Sequence, residues 1–316
     1  MSDAGHSFHT ERTKVSHFKL VLSQTLMSPE VVDHVYPGSG SDEDPYLVDW
    51  LPDDVKDPYG ISKGIKWWIT VIMSFGTLAI SLSSSVFSSA LPQIQADFHV
   101  SAELSIASVS LFVLGFAIGP MVFAPMAELY GRQIVYALTF FSSTLFGGAS
   151  IASTNIQTLL VLRFFAGTFG SSAIVNSAGV ISDIFVTEER GLAVMVYTAA
   201  PFLGPTLGPV VGGFLAQAGG WKWVDGLTVI FTGVMFILGL IFVPETFTPY
   251  LLIRRANKLS KRTGKVYISK LEQGKPKKTA GSVFKVAIAR PWTILFFEPI
   301  VLVLSIYSAI GELFSF

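Results

Sequence analysis

"LGPTLGPVVGGFLAQAGGW" (Leu203–Trp221) sets Gly204, Gly208 and Gly212 four residues apart, with Pro205 and Pro209 each following one of those glycines and Gly213 closing the run. Gly and Pro are the residues least suited to a helix interior in water. The surroundings are nonetheless apolar and long enough for a helix. A membrane resolves the conflict. Small residues at every fourth position put a bare stripe along one helix face, and in lipid such stripes let two backbones approach closely. The prolines bend the helix and free carbonyls that neighbouring helices can satisfy. The stretch therefore reads as a transmembrane helix that packs on another through its glycines.

The rest of the chain agrees. Of its 316 residues, 51% are hydrophobic and 14% charged, with a mean hydropathy of +0.56. A soluble domain carries about 25% charged residues. Apolar stretches near the ~20 residues that cross a bilayer core lie at roughly 67–90, 105–126, 134–153, 157–181, 190–217 and 224–243, and a seventh runs from about 291 to the end. The expectation is an all-α membrane protein organised as a polar, mostly disordered tail over 1–65, a six-helix bundle over 66–243, a basic loop over 244–290 and a seventh helix over 291–316, whose completeness is left open.

The net charge of zero conceals segregation: residues 1–66 hold 11 of the 22 acids, and residues 244–290 hold 12 of the 22 Lys and Arg. The loops Leu91–Leu104 and Thr154–Ile156 carry no Lys or Arg and that after the fifth span only Lys222, whereas Arg132, Arg190 and the basic segment follow even-numbered spans. By the positive-inside rule, those ends and the N-terminal tail are cytoplasmic. "RRANKLSKRTGK" (Arg254–Lys265) resembles a nucleic-acid patch in composition. Beside a membrane helix it reads instead as a segment on the anionic leaflet, so no nucleic-acid partner is expected. "VPETFTPYLLIRRANKLSKRTGK" (Val243–Lys265) reads as a short amphipathic surface helix with Glu245 and Thr246 in its first turn and Tyr250, Leu251, Leu252 and Ile253 on its apolar face. Within the tail, Asp44–Pro58 holds a few apolar residues that could dock elsewhere.

There are no cysteines, and the five histidines form no metal-ligand spacing, so neither a metal nor a cofactor is expected. No nucleophile elbow or phosphate loop is evident, which argues against an enzyme. Isolated acids such as Asp183 have no recognisable partner in sequence.

Three further features carry functional expectations. In "APMAELYGRQ" (Ala124–Gln133), Glu128 ends one span, Gly131 permits a tight turn and Arg132 starts the next span. An acid and a base at such a turn either pair, with each other or with neighbouring helix ends, as a releasable latch, or form an ordinary turn with a snorkelling Arg. Arg163 in "LLVLRFFAGTFGSS" (Leu159–Ser172) lies inside an apolar helix with no acid within one turn. A charge at that depth faces the protein interior or reaches for the interface, while Gly167 and Gly170 make room for a neighbouring helix. Glu298 in "RPWTILFFEPIVLVLSIYSA" (Arg290–Ala309) precedes Pro299 within an apolar run and faces either a cavity or the interface.

Together these segments resemble the major facilitator superfamily, and within it the fungal twelve-span drug:proton antiporters, from about residue 45 to 309. "APMAELYGRQ" is similar to the family's motif between helices 2 and 3, with Glu128, Gly131 and Arg132 at its acidic, glycine and basic positions. Ala124 replaces its leading glycine and Gln133 a later basic residue. Arg163 with Gly167 resembles the helix-4 motif, whose arginine is linked to proton coupling. Gly204, Pro205, Gly208, Pro209, Gly212 and Gly213 resemble the helix-5 antiporter motif. "PETFTPYLLIRRA" (Pro244–Ala256) and "RPWTILFFEPIVL" (Arg290–Leu302) are similar to the passages after helix 6 and into helix 7. The resemblance implies the N-terminal six-helix half of a facilitator fold plus a seventh helix. It also implies proton-coupled export of drugs, toxins or polyamines across the plasma membrane, with Arg163 and Glu298 as coupling candidates. The implied partners are a small-molecule substrate, protons, the lipid bilayer and a second transporter half. The alternative is an inactive fragment or a modulator of a full-length transporter, because the family continues well beyond "AIGELFSF" (Ala309–Phe316).

Overall fold

The computed structural model describes residues 20–21, 23, 25–52, 54–274 and 279–315. After a short helix α1 (Pro29–Asp33) and strand β1 (Tyr46–Val48), the chain forms α2 (Lys63–Ser85), a 3-10 turn (Val86–Ala90), α3 (Leu91–Phe98), α4 (Ala102–Tyr130), α5 (Arg132–Ile151), α6 (Ile156–Gly170), α7 (Ser172–Ile184), α8 (Thr187–Gly219) and α9 (Trp221–Phe242). Then come α10 (Thr248–Thr263), β2 (Tyr267–Ser269), α11 (Ala280–Phe297) and α12 (Pro299–Ser315).

Six stretches among the described residues are long and apolar enough to cross a membrane, in the order and near the places expected. The first runs Lys63–Phe98, well past the expected end at 90, because the segment after Ser85 continues as a 3-10 turn and α3 rather than as a loop. Ile156–Ile184 is one span in two helices, α6 and α7, that meet at Ser171. The closest helix pairs are α2 with α8 and α4 with α6, while α5 packs on both α6 and α9. One apolar cluster joins Ile69, Met73 and Ile80 of α2 to Phe140 of α5, Ile181 of α7 and Tyr197 of α8. Another, around Phe87, Ile94, Leu159 and Trp221, fills the end where α3 lies.

The last helix departs from expectation. It begins at Ala280, where Thr279 accepts from the Ser282 amide as an N-cap, rather than near 291. It also breaks between Phe297 and Pro299 with a bend of 92°. Proline disfavours helical backbone at the residue before it, and Glu298 there is extended, at φ −107° and ψ 103°.

The segment expected as a basic loop is likewise ordered, and part of the expected tail orders it. β1 pairs in parallel with β2, matching Tyr46, Leu47 and Val48 to Tyr267, Ile268 and Ser269, so the fold is not purely helical. Tyr36 and Val48 pack on Leu252, Ala256 and Leu259 of α10. Arg255 forms a buried ion pair with Asp54 and lies 4.7 Å from the centroid of the Trp50 ring. Lys270 meets Asp49 at 2.6 Å, which holds the Asp49 carboxyl below its ordinary value. α10 is amphipathic as expected, but its apolar face is Tyr250, Leu251, Leu252, Ala256 and Leu259, and the protein's own N-terminal segment covers much of it. Ile253 is only partly buried. Residues 1–19 lie outside the described residues.

Candidate functional site

One charged constellation sits at the α4–α5 turn and a second is buried towards the other end of the bundle, where the glycine stripe of α8 packs on Ser81, Ser85 and Val86, level with the Ser83 and Phe87 contacts of Arg163.

The stripe is a close seam. A Cβ on Gly204 or Gly208 would collide with Ser81 or Ser85, and one on Gly212 with the Val86 carbonyl. Gly213 has nothing within 4 Å, so it does not belong to the contact. The facing residues Ser81, Ser85, Ser89 and Gln93 also recur every four positions. They donate to the carbonyls of Pro201 (2.7 Å), Gly204 (3.2 Å), Pro209 (3.1 Å) and Ala216 (2.6 Å). α8 stays helical through Pro201, Pro205 and Pro209. A proline has no N–H for the carbonyl four residues back, and the carbonyl that Pro205 deprives is that of Pro201, which Ser81 serves.

The first charged constellation surrounds the α4–α5 turn. Gly131 has φ 92° and ψ 158°, and a Cβ there would collide with the Glu245 carboxylate. Glu245 accepts from the amides of Arg132 (2.9 Å), Gln133 (3.1 Å), Thr246 (3.0 Å) and Phe247 (3.0 Å). It therefore caps α5, where the helix dipole favours an anion, instead of opening the surface helix as expected. Burial pushes its carboxyl above the ordinary value, and those backbone N–H groups oppose the rise. Arg132 pairs with Asp183 of α7 at 3.2 Å and lies 5.0 Å from the Phe247 ring centroid. Of the two pairings expected at this turn, Arg132 thus takes the one with a neighbouring helix and not the one with Glu128. Glu128 is exposed, forms no ion pair among the described residues, and borders a groove between α4 and α11 with Val283, Val286 and Arg290. Gln133 donates to the carbonyls of Val21 (3.0 Å) and Val243 (3.2 Å), tying the N-terminal segment to this turn.

The second constellation is Arg163, which is 1% exposed and does not reach for the interface. Its Nη1 meets Oδ1 of Asp225, also 1% exposed, at 3.3 Å. Nη2 donates to the Ser83 carbonyl at 3.0 Å. The guanidinium carbon lies 4.0 Å and 4.6 Å from the Phe87 and Phe112 ring centroids. The other Asp225 oxygen accepts from the Ser150 hydroxyl. Side chains or backbone from α2, α4, α5, α6 and α9 thus converge on one buried pair. Gly167 gives the room expected of it, since a Cβ there would strike the Phe112 carbonyl. Glu298 is exposed at the α11–α12 bend and does not join this cluster.

Sequence reading missed Asp225 and the partnership of Asp183. A sixth span placed at 224 puts Asp225 at an interface, whereas α9 begins at Trp221 and carries it inside. Both acids pair across helices far apart in sequence, which no local spacing reveals. The serine row was detectable, because its four-residue period matches that of the glycines.

A six-helix membrane bundle with a charged turn at one end and a dry ion pair towards the other has the architecture of a secondary-transporter half. The family description "Major Facilitator Superfamily" matches residues 73–316, and the chain belongs to that family. It is 50% identical to the "MFS-type efflux pump MFS2" of Trichophyton rubrum over 94% of this chain and 50% of that protein. It is 46% identical to the "Major facilitator superfamily multidrug transporter mdrA" of Aspergillus fumigatus over 94% of this chain and 49% of that protein. The chain therefore spans about half the length of the curated relatives it matches. The solved structure of the proton:xylose symporter XylE bound to 6-bromo-6-deoxy-D-glucose shares the fold, with a TM-score of 0.53 at 17% identity, covering 75% of this chain and 57% of that one.

Proposed function

We propose that the chain forms half of a proton-coupled exporter of small organic compounds, working in the plasma membrane with its N-terminal segment in the cytoplasm. The observation that carries this reading is the seam between the Gly204–Gly208–Gly212 stripe and the serine row of α2. It gives the motif that resembles that of exporters a concrete packing role, in a chain about half identical to a fungal efflux pump over half of that pump's length. In this reading Arg132 and Asp183 latch the cytoplasmic side, Gly131 and Glu245 shape the turn, and Arg163 carries proton coupling. Glu128 and Glu298 are exposed and act through groups that a second half supplies. That half would cover the apolar residues exposed along α8, such as Phe202 and Phe214. The basic segment after α9 supports the orientation. The activity is transport rather than catalysis, with protons and a small molecule as the species moved and no nucleic acid involved.

The test is expression in exporter-deficient cells, alone and together with the C-terminal half of a relative. Lower drug accumulation in either arm supports export, and unchanged accumulation in both arms sinks it. A second reading, modulation of a full-length transporter, rests on the same exposed face of α8. Co-purification with a full-length relative, together with a change in that relative's export rate, would favour it.

A further inference from the structure

We propose that Asp225 is a proton-binding carboxyl that alternates between an ion pair with Arg163 and a neutral acid hydrogen-bonded to Ser150. The inference rests on the reading of the chain as proton-coupled and names the group that takes the proton.

The argument begins with the Ser150 hydroxyl, which carries a single hydrogen. Two acceptors lie within its reach, the Gly147 carbonyl at 2.6 Å and Oδ2 of Asp225. One hydrogen cannot serve both. A proton on Oδ2 supplies the missing one: the acid then donates to Ser150 Oγ, and Ser150 donates to Gly147. With Asp225 ionised, Ser150 turns its hydrogen to the carboxylate instead, and the Gly147 carbonyl keeps its helical partner. The site is thus satisfied in both charge states without movement of a heavy atom.

Arg163 is built for the same exchange. Its contact with Asp225 is single and, at 3.3 Å, long for an ion pair. Buried arginine–carboxylate pairs are commonly bidentate. Here the second nitrogen is committed to the Ser83 carbonyl, the rings of Phe87 and Phe112 flank the guanidinium, and Nε has no partner. The cation is held by a carbonyl dipole and two aromatic faces when the carboxylate is neutralised. Loss of the anion leaves it over-charged but still anchored, which suits a group whose pairing must be reversible.

No second charge faces Asp225 among the described residues. α5 presents Ser150, and the charged Arg132 of that helix is at its other end, while on α4 Glu103 in the first turn and Glu128 at the far end are both exposed. On α2, Lys63 and Lys66 occupy the first turn at that same far end, as do Glu188, Glu189 and Arg190 on α8. Asp97 of α3 takes the Trp221 indole at 2.8 Å, and Lys222 of α9 itself lies over the Trp221 ring. The step is a simple protonation: a hydronium ion gives one proton to the carboxylate and becomes water, an O–H bond forms at Oδ2, and the net charge of the pair rises from zero to plus one. Nothing is oxidised or reduced.

The test is infrared spectroscopy of the purified full chain in lipid nanodiscs, titrated from mildly alkaline to mildly acidic pH. The C=O stretch of a protonated carboxylic acid grows in as pH falls, is lost in Asp225→Asn and shifts in frequency in Asp225→Glu. In Arg163→Met, which removes the counter-charge, the band persists across the whole range. Coincident spectra for the unmodified chain and Asp225→Asn overturn the proposal. If Asp225→Asn does not fold, a band of identical frequency in the unmodified chain and Asp225→Glu overturns it equally. The readout needs no transport. An intact band without drug export counts against the exporter reading alone, and export without the band counts against this one alone.

Discussion

The Ser81 hydroxyl donates at 2.7 Å to the Pro201 carbonyl, the acceptor that Pro205 leaves without its helical donor. The proline and its remedy stand on different helices, and the glycine stripe brings them together. Satisfying the carbonyl that Pro205 frees and seating α8 on α2 are therefore one structural event. Gly208→Val is expected to lower stability by at least the ~1–3 kcal/mol typical of overpacking, because the new side chain meets Ser85 and the backbone of Val86. Gly213→Ala, which meets nothing within 4 Å, is expected to be neutral. Ser81→Ala should cost about 0.6 kcal/mol, the average measured for hydrogen bonds between membrane helices, and no more than about 1.7 kcal/mol, the largest measured. Thermal unfolding of the chain in detergent micelles checks all three, and equal effects at Gly208 and Gly213 would refute the seam.

The Arg163–Asp225 pair invites a double-mutant cycle. Removing one member leaves an uncompensated buried charge, at a cost of roughly 3–5 kcal/mol. Asp225→Leu should approach that loss, Arg163→Met should lose less because Asp225 is then protonated, and the double variant should recover most of the Asp225→Leu loss, since apolar replacement of a whole buried pair is often neutral. Additive losses would mean that the two side chains do not depend on each other. Export, measured with a second half supplied, is expected to stay absent in the recovered double variant, which separates the function of the pair from its contribution to the fold.

What was legible in advance divides along a physical line. The spans, their order and the glycine stripe all follow from local composition and period, and each was readable. Arg163 was readable as an anomaly because lipid makes a lone charge conspicuous. Asp225, Asp183 and the capping role of Glu245 were not, because each is defined by a partner on a helix many residues away. The N-terminal segment was obscured for a different reason. Its polar composition matches that of a solvated tail, and its partners, the strand Tyr267–Ser269 and the apolar face of α10, lie more than 200 residues away. The break at Glu298 was written in the Glu-Pro step, yet an unbroken apolar run outweighed it.

At the α4–α5 turn, Arg132→Ala is expected to destabilise, because it leaves Asp183 half-buried with only the Thr246 hydroxyl at 3.4 Å. Glu128→Ala should stay within the ~0.5 kcal/mol typical of exposed positions. The pH dependence at Glu245 has a definite sign. Burial raises its folded-state pKa above the unfolded value, so the folded state favours the protonated form. Its contribution is fully present at acidic pH and is lost as pH rises through the folded pKa. Glu245→Gln should therefore flatten the acidic limb of the stability profile measured by denaturant unfolding. A limb unchanged in the variant would assign it to another group.

Lys56 offers a test of the cap that the N-terminal segment forms on α10. It is 6% exposed, its Nζ donates to the Leu20 carbonyl at 2.7 Å, and burial pulls its pKa from 10.5 down to about 8. A lysine with a depressed folded-state pKa binds fewer protons folded than unfolded between those values, so stability rises with pH across that window. Its contribution is lost as pH falls through about 8. At neutral pH the protonated amine therefore costs the cap up to about 3 kcal/mol, at ~1.4 kcal/mol per pKa unit. That figure already includes the favourable pull of the nearby Glu245 and Asp54 carboxylates, which offsets part of the burial cost. Lys56→Met is expected to stabilise the chain at neutral pH and to abolish the rise between about 8 and 10.5. Asp54→Asn should do the reverse of stabilising, because it strips Arg255 of its buried partner. Limited proteolysis of residues 25–60 as a function of pH reads the cap directly. Protection that rises with pH in the unmodified chain, and is high and flat in Lys56→Met, is the expected pattern. Identical profiles for the two would mean that Lys56 stays solvated and that the segment is held by the strand pairing and Asp54 alone.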